Sequence, residues 1–438
     1  MPNNVLLTNT SWWACASRLA MGFTECGYCV SAVHPAHGHP LAKTRVVRQS
    51  FPYSGFDPIG SLRNAIRNSL PDVIVPCDDR AVEHLHLLHA QTAGTPERDI
   101  AELIERSLGE PASFPIASSR SALIAAAAEQ GIRVPATWQI SSLDDLRDAQ
   151  AAFPWMLKSD GSWGGHGVRM VSSQAQAESA YAELAKPLPT ARFLKRLLVN
   201  RDPYWVQNWR SRAKPSVVAQ AYVPGRPANM TASCWRGELL DTISAEVVQA
   251  QGATGSATVV RIVESPAMVA AAKLLASRLG LSGFFGLDFM IAEHTGDPYL
   301  IEMNPRCTPL SHLVLGQGRD PIAAFAARLS GKTARARQPL TQDDRIAYFP
   351  QAWHWDPKSE FLNTSFCDVP YSEPDLVQDL LQVPWPDRSL LARFMNHLQR
   401  HRFEDRRAAR GGLFQAALEP RKKTGEPPGG IALPTTHR

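Results

Sequence analysis

Between Gly286 and Arg306 the chain reads GLDFMIAEHTGDPYLIEMNPR. Two apolar stretches flank a His294-Thr295-Gly296 tip, the pattern of a β-hairpin. Symmetry about Thr295 sets Asp288 opposite Glu302, and the period-two alternation of strands puts Glu302 and Asn304 on one face. Facing carboxylates repel. Leu287, Phe289, Leu300, Ile301 and Met303 around them are apolar, so water screens them poorly. A divalent cation resolves the conflict. Two carboxylates and an amide oxygen are hard ligands, suited to magnesium (or manganese) held partly by substrate phosphates. A lone Asp and Glu in strands are more often solvated on an open sheet face. Arg306, an anion-binding group just past Asn304, shifts the reading toward a centre that handles a carboxylate and a phosphate.

A second constellation lies upstream. Trp155-Met156-Leu157-Lys158 is an apolar strand ending in a cation, and Ser159-Asp160-Gly161-Ser162-Trp163-Gly164-Gly165-His166-Gly167 follows. Glycines let backbone N–H groups close over an anion, and Lys158 adds a point charge for phosphate oxygens. An ordinary hairpin loop is the plain alternative. The downstream hairpin favours a nucleotide lid.

These residues need a scaffold. The first hundred residues alternate short apolar runs with helical patterns: strands at Val5–Thr8, Tyr28–Val33 and Asp72–Pro76, helices at Ser11 to about Glu25, Ser61–Ser69 and Asp79 to about Ala90. That alternation predicts a doubly wound parallel sheet, with ligands at the carboxyl ends of its strands. The first turn lacks G-x-G-x-x-G, so a dinucleotide fingerprint is unsupported. Further on, the pattern gives an Ala-rich helix over Ser121–Gln130, strands from Ser216 to Asp241 with a turn at Pro224-Gly225, and a helix over Pro266–Leu279 stopped by Gly280. It also gives a helix from Pro321 to about Leu329 and an amphipathic basic helix from Ser389 to about His401.

In this order the motifs resemble the ATP-grasp superfamily, of the carboxylate–amine ligase type, across roughly residues 115–330. The resemblance implies an α/β (α+β ATP-grasp) fold preceded by a doubly wound parallel-sheet domain. The corresponding division is a Rossmann-like pre-ATP-grasp domain at 1–112, the ATP-grasp domain with its glycine-rich lid at 113–335, a C-terminal extension packed on the core at 336–418 and a disordered basic tail at 419–438. It also implies site residues. Arg120 matches the first phosphate-contacting position, where a Lys is usual. Lys158, with Gly164, Gly165 and Gly167, matches the second cation and lid. Gln220, Ala221, Tyr222 and Val223 match the hinge strand that pairs with adenine, Gln220 standing where Glu is usual, and Asn229 is the candidate ribose contact. Asp288, Glu302 and Asn304 match the metal ligands, and Arg306, with Lys158, the catalytic cations.

The implied function is an ATP- and magnesium-dependent ligase that activates a small carboxylate as an acyl phosphate and joins it to an amine, with amino acids and a dipeptide-like product as the specific expectation. The rivals are a bicarbonate-activating carboxylase and a non-catalytic ATP-binding regulatory or scaffold protein. Arg261, His312 and Gln317 are candidates for the substrate wall. Pro76-Cys77-Asp78-Asp79-Arg80 either faces that site or caps the next helix.

Composition sets the limits. The 438 residues are 44% hydrophobic and 20% charged, which excludes overall disorder and a disulfide miniprotein. Seven scattered cysteines suit a reducing compartment. With no signal-like start and no long apolar run, a cytoplasmic protein without integral membrane association is expected. The net charge of +5 is local: from Arg388 onward there are eleven Lys or Arg against four Asp or Glu, and before it 35 against 37. Nucleic acid is therefore not an expected partner. A homodimer stays open, and the basic C-terminal helix could dock a partner or an anionic surface.

Overall fold

A computed structural model describes residues 3–149, 152–159, 167–186, 190–194, 197, 206, 216–252, 255–333, 336–384 and 388. Strands β1 (Asn4–Thr8), β2 (Cys29–Pro35), β3 (Val47–Tyr53) and β4 (Val73–Pro76) form a parallel sheet in the order β3-β2-β1-β4. Helices α1 (Cys15–Glu25), α2 (Pro58–Ser69), α3 (Asp79–Thr92) and α4 (Arg98–Leu108) connect and follow them. The chain leaves β1 toward β2 on one side and returns to β4 on the other. The order therefore reverses between the carboxyl ends of β1 and β4, where doubly wound sheets place ligands. The Asp78 carboxylate caps α3 by accepting from the Ala81 N–H at 2.9 Å, and it also accepts from the Thr10 N–H at 2.6 Å. It thus ties the two strand ends together.

After a short helix α5 (Phe114–Ala117), Ser119 caps α6 (Arg120–Glu129). Then a small antiparallel sheet combines β5 (Thr137–Ile140), β6 (Trp155–Ser159), β7 (Val168–Val171) and β8 (Val217–Ala221) in the order β5-β8-β6-β7. The large sheet holds β9 (Gly225–Trp235), β10 (Glu238–Ala250), β11 (Ala257–Val263), β12 (Gly283–Ala292), β13 (Pro298–Asn304), β14 (Arg345–Ala347) and β15 (Phe366–Cys367), ordered β13-β12-β9-β10-β11-β14-β15. The two strands after residue 336 thus extend this sheet. The expected basic helix at 389–401 and the tail lie outside the described residues.

Alternation along the large sheet separates core from site. Ala228, Met230, Ala232, Leu287 and Phe289 are buried against α6 and the helix Pro266–Leu279. The residues between them, Asn229, Thr231 and Asp288, point to the other face. Chain beyond β13 folds over that face. A Cβ on Gly286 would lie 2.3 Å from Thr308 Cγ2, so this position needs glycine for the cover to seat. Phe284, Cys307, Ile322 and Phe325 continue one apolar cluster with Val5, Leu7, Leu19 and Val75 of the parallel sheet and α1. That shared core fixes the end of the hairpin against the carboxyl edge of the first sheet.

Candidate active site

Asp288 pairs directly with Glu302 on β13 and with Asn229 on β9, and Gly286 pairs with Asn304. The expected hairpin register is therefore the observed one at the acidic end. Toward the tip it slips, because Phe289 pairs with Leu300 and leaves Ile301 as a bulge. Asn229 Nδ2 donates to Asp288 Oδ1, and Asn304 Nδ2 donates to Asp288 Oδ2 at 3.1 Å. Burial raises the Asp288 pKa to about 6, the facing Glu302 charge adds to the rise, and the two amide donors oppose it.

Arg120, the first residue of α6, bridges the two sheets of this cleft. Its Nη1 donates to the Ser159 carbonyl at 2.9 Å and its Nη2 to Glu302 Oε1 at 2.8 Å. Lys158 is buried on β6 and donates from Nζ to Gln220 Oε1 at 2.8 Å. Burial lowers the lysine's pKa. Glu302 and Asp288 pull it back up, and Arg120 pushes it down. Both cations thus sit within electrostatic reach of the hairpin acids. Gln220 is itself buried and donates from Nε2 to Thr137 Oγ1 at 3.2 Å. Along the expected hinge the Ala221 N–H is taken by the Ala136 carbonyl at 2.8 Å and the Tyr222 N–H by that of Pro154 at 3.0 Å; Val223 follows directly. Gly164 and Gly165 lie outside the described residues. The Gly167 carbonyl accepts from the Ser159 N–H at 2.9 Å and closes the base of the loop.

Arg306 faces the first sheet. Its Nε donates to Asp79 Oδ1 at 2.9 Å, its Nη2 to Asn304 Oδ1 at 3.1 Å and its Nη1 to the Cys307 carbonyl at 3.1 Å. Asp78 is consumed as the helix cap, so within Pro76–Arg80 it is Asp79 that reaches the hairpin. Of the candidate wall residues, His312 is buried and bonds Asp368, while Gln317 is exposed. Arg261 pairs with Glu246 at 2.6 Å. Glu246 faces Ala228 across β9 and β10, so this pair is on the sheet face opposite Asp288.

Residues 200–309 match the sequence model of the ATP-grasp domain. The chain carries an ATP-grasp domain. Solved structures extend the likeness in fold beyond that segment. An N5-carboxyaminoimidazole ribonucleotide synthetase in its ADP complex is 17% identical, with 77% of this chain and 79% of that one aligned at a TM-score of 0.53. The biotin carboxylase domain of 2-oxoglutarate carboxylase from Hydrogenobacter thermophilus, solved with MgADP, ADP and bicarbonate, is 14% identical over 77% of this chain and 72% of its own, TM-score 0.55. The L-amino acid ligase from Bacillus licheniformis is 14% identical over 78% of each chain, TM-score 0.52. No curated protein matches the sequence. Among the described residues no helix is long and apolar enough to cross a membrane.

In this ATP-grasp domain the acidic set suits a divalent cation. Asp288 and Glu302 supply hard oxygens from adjacent strands, and burial with the facing Glu302 charge disfavours the Asp288 carboxylate unless a cation joins them. The Asn304 amide oxygen now faces Arg306, so that amide would turn over to add a third oxygen. Among the described residues no group of three or more His, Cys, Asp or Glu stands at metal-holding distance; the candidate set is two carboxylates with amides.

Proposed function

We propose that this protein is an ATP- and magnesium-dependent ligase that converts a carboxylate to an acyl phosphate and transfers the acyl group to an amine. The observation that carries the reading is one convergence. The facing carboxylates, the two cations Lys158 and Arg120, and the anion-binding Arg306 come from separate elements and meet at one cleft. We also assign the division into an N-terminal unit to about residue 112, an ATP-grasp unit to about 335 and a C-terminal extension.

Asp288, Glu302 and Asn304 would hold the cation, which when bound neutralises and orients phosphate oxygens. Lys158 and Arg120 bind the remaining phosphate charge, and Arg306 orients the carboxylate toward the terminal phosphorus. A carboxylate oxygen attacks that phosphorus and ADP leaves. The neutral amine then attacks the acyl carbon, phosphate leaves, and the amine's proton departs with it. No side chain serves as nucleophile. The Glu302–Arg120 pair at 2.8 Å compensates both charges in the partly covered site.

The test is ADP release with ATP, Mg2+ and panels of carboxylates, with hydroxylamine as the amine. Carboxylate-dependent ADP release with matching hydroxamate supports the ligase. Release that needs bicarbonate alone supports a carboxylase, and nucleotide binding without release supports a regulator.

A further inference from the structure

One carboxylate ties three parts of the chain together. Asp368 directly follows β15. Its Oδ1 accepts from Arg18 Nη2 and its Oδ2 from His312 Nε2, and Arg18 Nη1 also donates to its main-chain carbonyl at 2.7 Å. Arg18 belongs to α1, and His312 to the cover after β13. All three side chains are buried, with exposures of 9% for Arg18, 3% for His312 and 2% for Asp368. Their surroundings are apolar: Leu310 and Leu313 near His312, and Cys367 and Val369 beside Asp368, sit in two hydrophobic clusters. Aliphatic side chains would fill such a place with no charge to desolvate. The charged set supplies direction instead. It does so at a cost, since His312 Nδ1 is buried with no hydrogen-bond partner among the described residues.

The direction bears on the site through the cover. His312 follows Ser311, whose hydroxyl bonds Thr231 Oγ1 at 2.7 Å and accepts from the Thr308 N–H at 2.9 Å. Thr231 pairs with Gly286 on β12, and Asn229, two residues along β9, bonds Asp288. The same segment begins at Arg306, and its Cys307 N–H donates to the Pro76 carbonyl at 3.3 Å. The cover is thus pinned at the end of β4, on the large sheet beside the acidic pair, and at Asp368.

We propose that Asp368 is a positioning residue for the ligase reaction. Through His312 it holds the cover, and with it Arg306, in register with the acidic hairpin. Through Arg18 it makes that register depend on α1. The inference rests on the ligase reading and adds the C-terminal extension to the working parts of the site. A carboxylate only accepts, so Asp368 also keeps the His312 proton on Nε2 and fixes the ring's orientation.

The experiment uses the full chain with ATP, Mg2+ and hydroxylamine. Hydroxamate formation is measured with acetate, succinate, alanine and glutamate, and amide hydrogen exchange over residues 306–315 is read by mass spectrometry. His312→Leu takes away the cover's hold and leaves the Arg18–Asp368 pair in place, so the fold is kept. It is expected to raise KM for the carboxylate by roughly 10- to 100-fold, the effect of a misplacement of about 1 Å. Exchange over 306–315 is expected to quicken by about ten-fold. Lys158 and Gln220 lie on the small sheet, so KM for ATP should stay within about two-fold. His312→Gln returns a donor at the place of Nε2 and is expected to recover most of the wild-type KM. Arg18→Met together with Asp368→Leu removes both buried charges at once. The melting temperature should then hold while KM for the carboxylate rises as in His312→Leu. Unchanged exchange in His312→Leu, equal rises in KM for ATP and carboxylate, or no recovery in His312→Gln would overturn the inference and leave the ligase standing. So would a paired variant that melts lower with KM unchanged. Absence of hydroxamate from every acid in the wild type would overturn both.

Discussion

Asp288 and Glu302 are direct cross-strand partners, and the Arg120 guanidinium lies against the second of them. Glu302 Oε1 accepts from Arg120 Nη2 at 2.8 Å, so the guanidinium offsets part of the repulsion between the two carboxylates. Glu302→Gln keeps the shape and a hydrogen bond to Arg120 but removes a charge. Turnover should fall by about 10²-fold or more, while the melting temperature moves by only a few degrees. Steady-state kinetics beside thermal melts check this, and equal loss of both would mark Glu302 as structural.

Asp288→Asn should separate function from stability in the opposite sense. The raised pKa means that the folded, metal-free protein binds a proton more readily than the unfolded chain. Stability therefore falls as pH rises from about 4 to about 6 and stays lower above it. The shift corresponds to about 3 kcal/mol at most. In chelator at pH 8 the Asn variant should melt higher than the wild type, and Mg2+ with nucleotide should stabilise only the wild type.

Lys158 carries a buried charge whose direct partner is the neutral Gln220. Lys158→Met should weaken nucleotide binding by roughly 10- to 100-fold without destabilising the fold, since an imperfectly compensated buried charge is removed. Calorimetric titration with a non-hydrolysable ATP analogue measures the first effect and denaturant unfolding the second.

Acid should weaken the protein well above the carboxylate range. Burial holds the His84 and His86 pKa values down to about 4, and it lowers those of His39 and His312 as well. Below pH 6.5 the unfolded chain takes up protons that the folded one refuses, so stability is lost as pH falls from about 6.5 to about 4. His86, stacked on Phe114 at 4.0 Å, offers the test: His86→Gln should flatten the melting profile over that window.

Gly286→Ala should cost about 1–3 kcal/mol, because its methyl group meets Thr308 Cγ2. Thr308→Ser in the same chain should recover most of the loss in denaturant unfolding.

How far these features could be read in advance follows from their range. The hairpin register was legible because two like charges and an apolar alternation admit one arrangement of a local ribbon. The bulge at Ile301 was not, since nothing in the residues breaks the alternation. Gly280 and Gly331 were legible as helix stops, and both take left-handed backbone there, φ 58° and 66°. The strand Val47–Tyr53 and helices Arg98–Leu108 and Gln174–Leu184 went unread. The strand is only partly buried and polar at its centre, so it lacks a clear period. Asn229 was read as a ribose contact; its place beside Asp288 depends on a strand pairing 59 positions apart. Arg306 and Asp79 meet across 227 positions and Arg18 and Asp368 across 350. Such contacts follow from how units pack, which residue types alone do not specify.

The central claim is that a carboxylate oxygen attacks the terminal phosphorus of ATP. Turnover of a carboxylate labelled with oxygen-18 in both oxygens tests it most directly, with the released phosphate read by mass spectrometry. The account predicts one labelled oxygen in each phosphate released with ADP. Phosphate free of label, or label found instead in AMP, would contradict it.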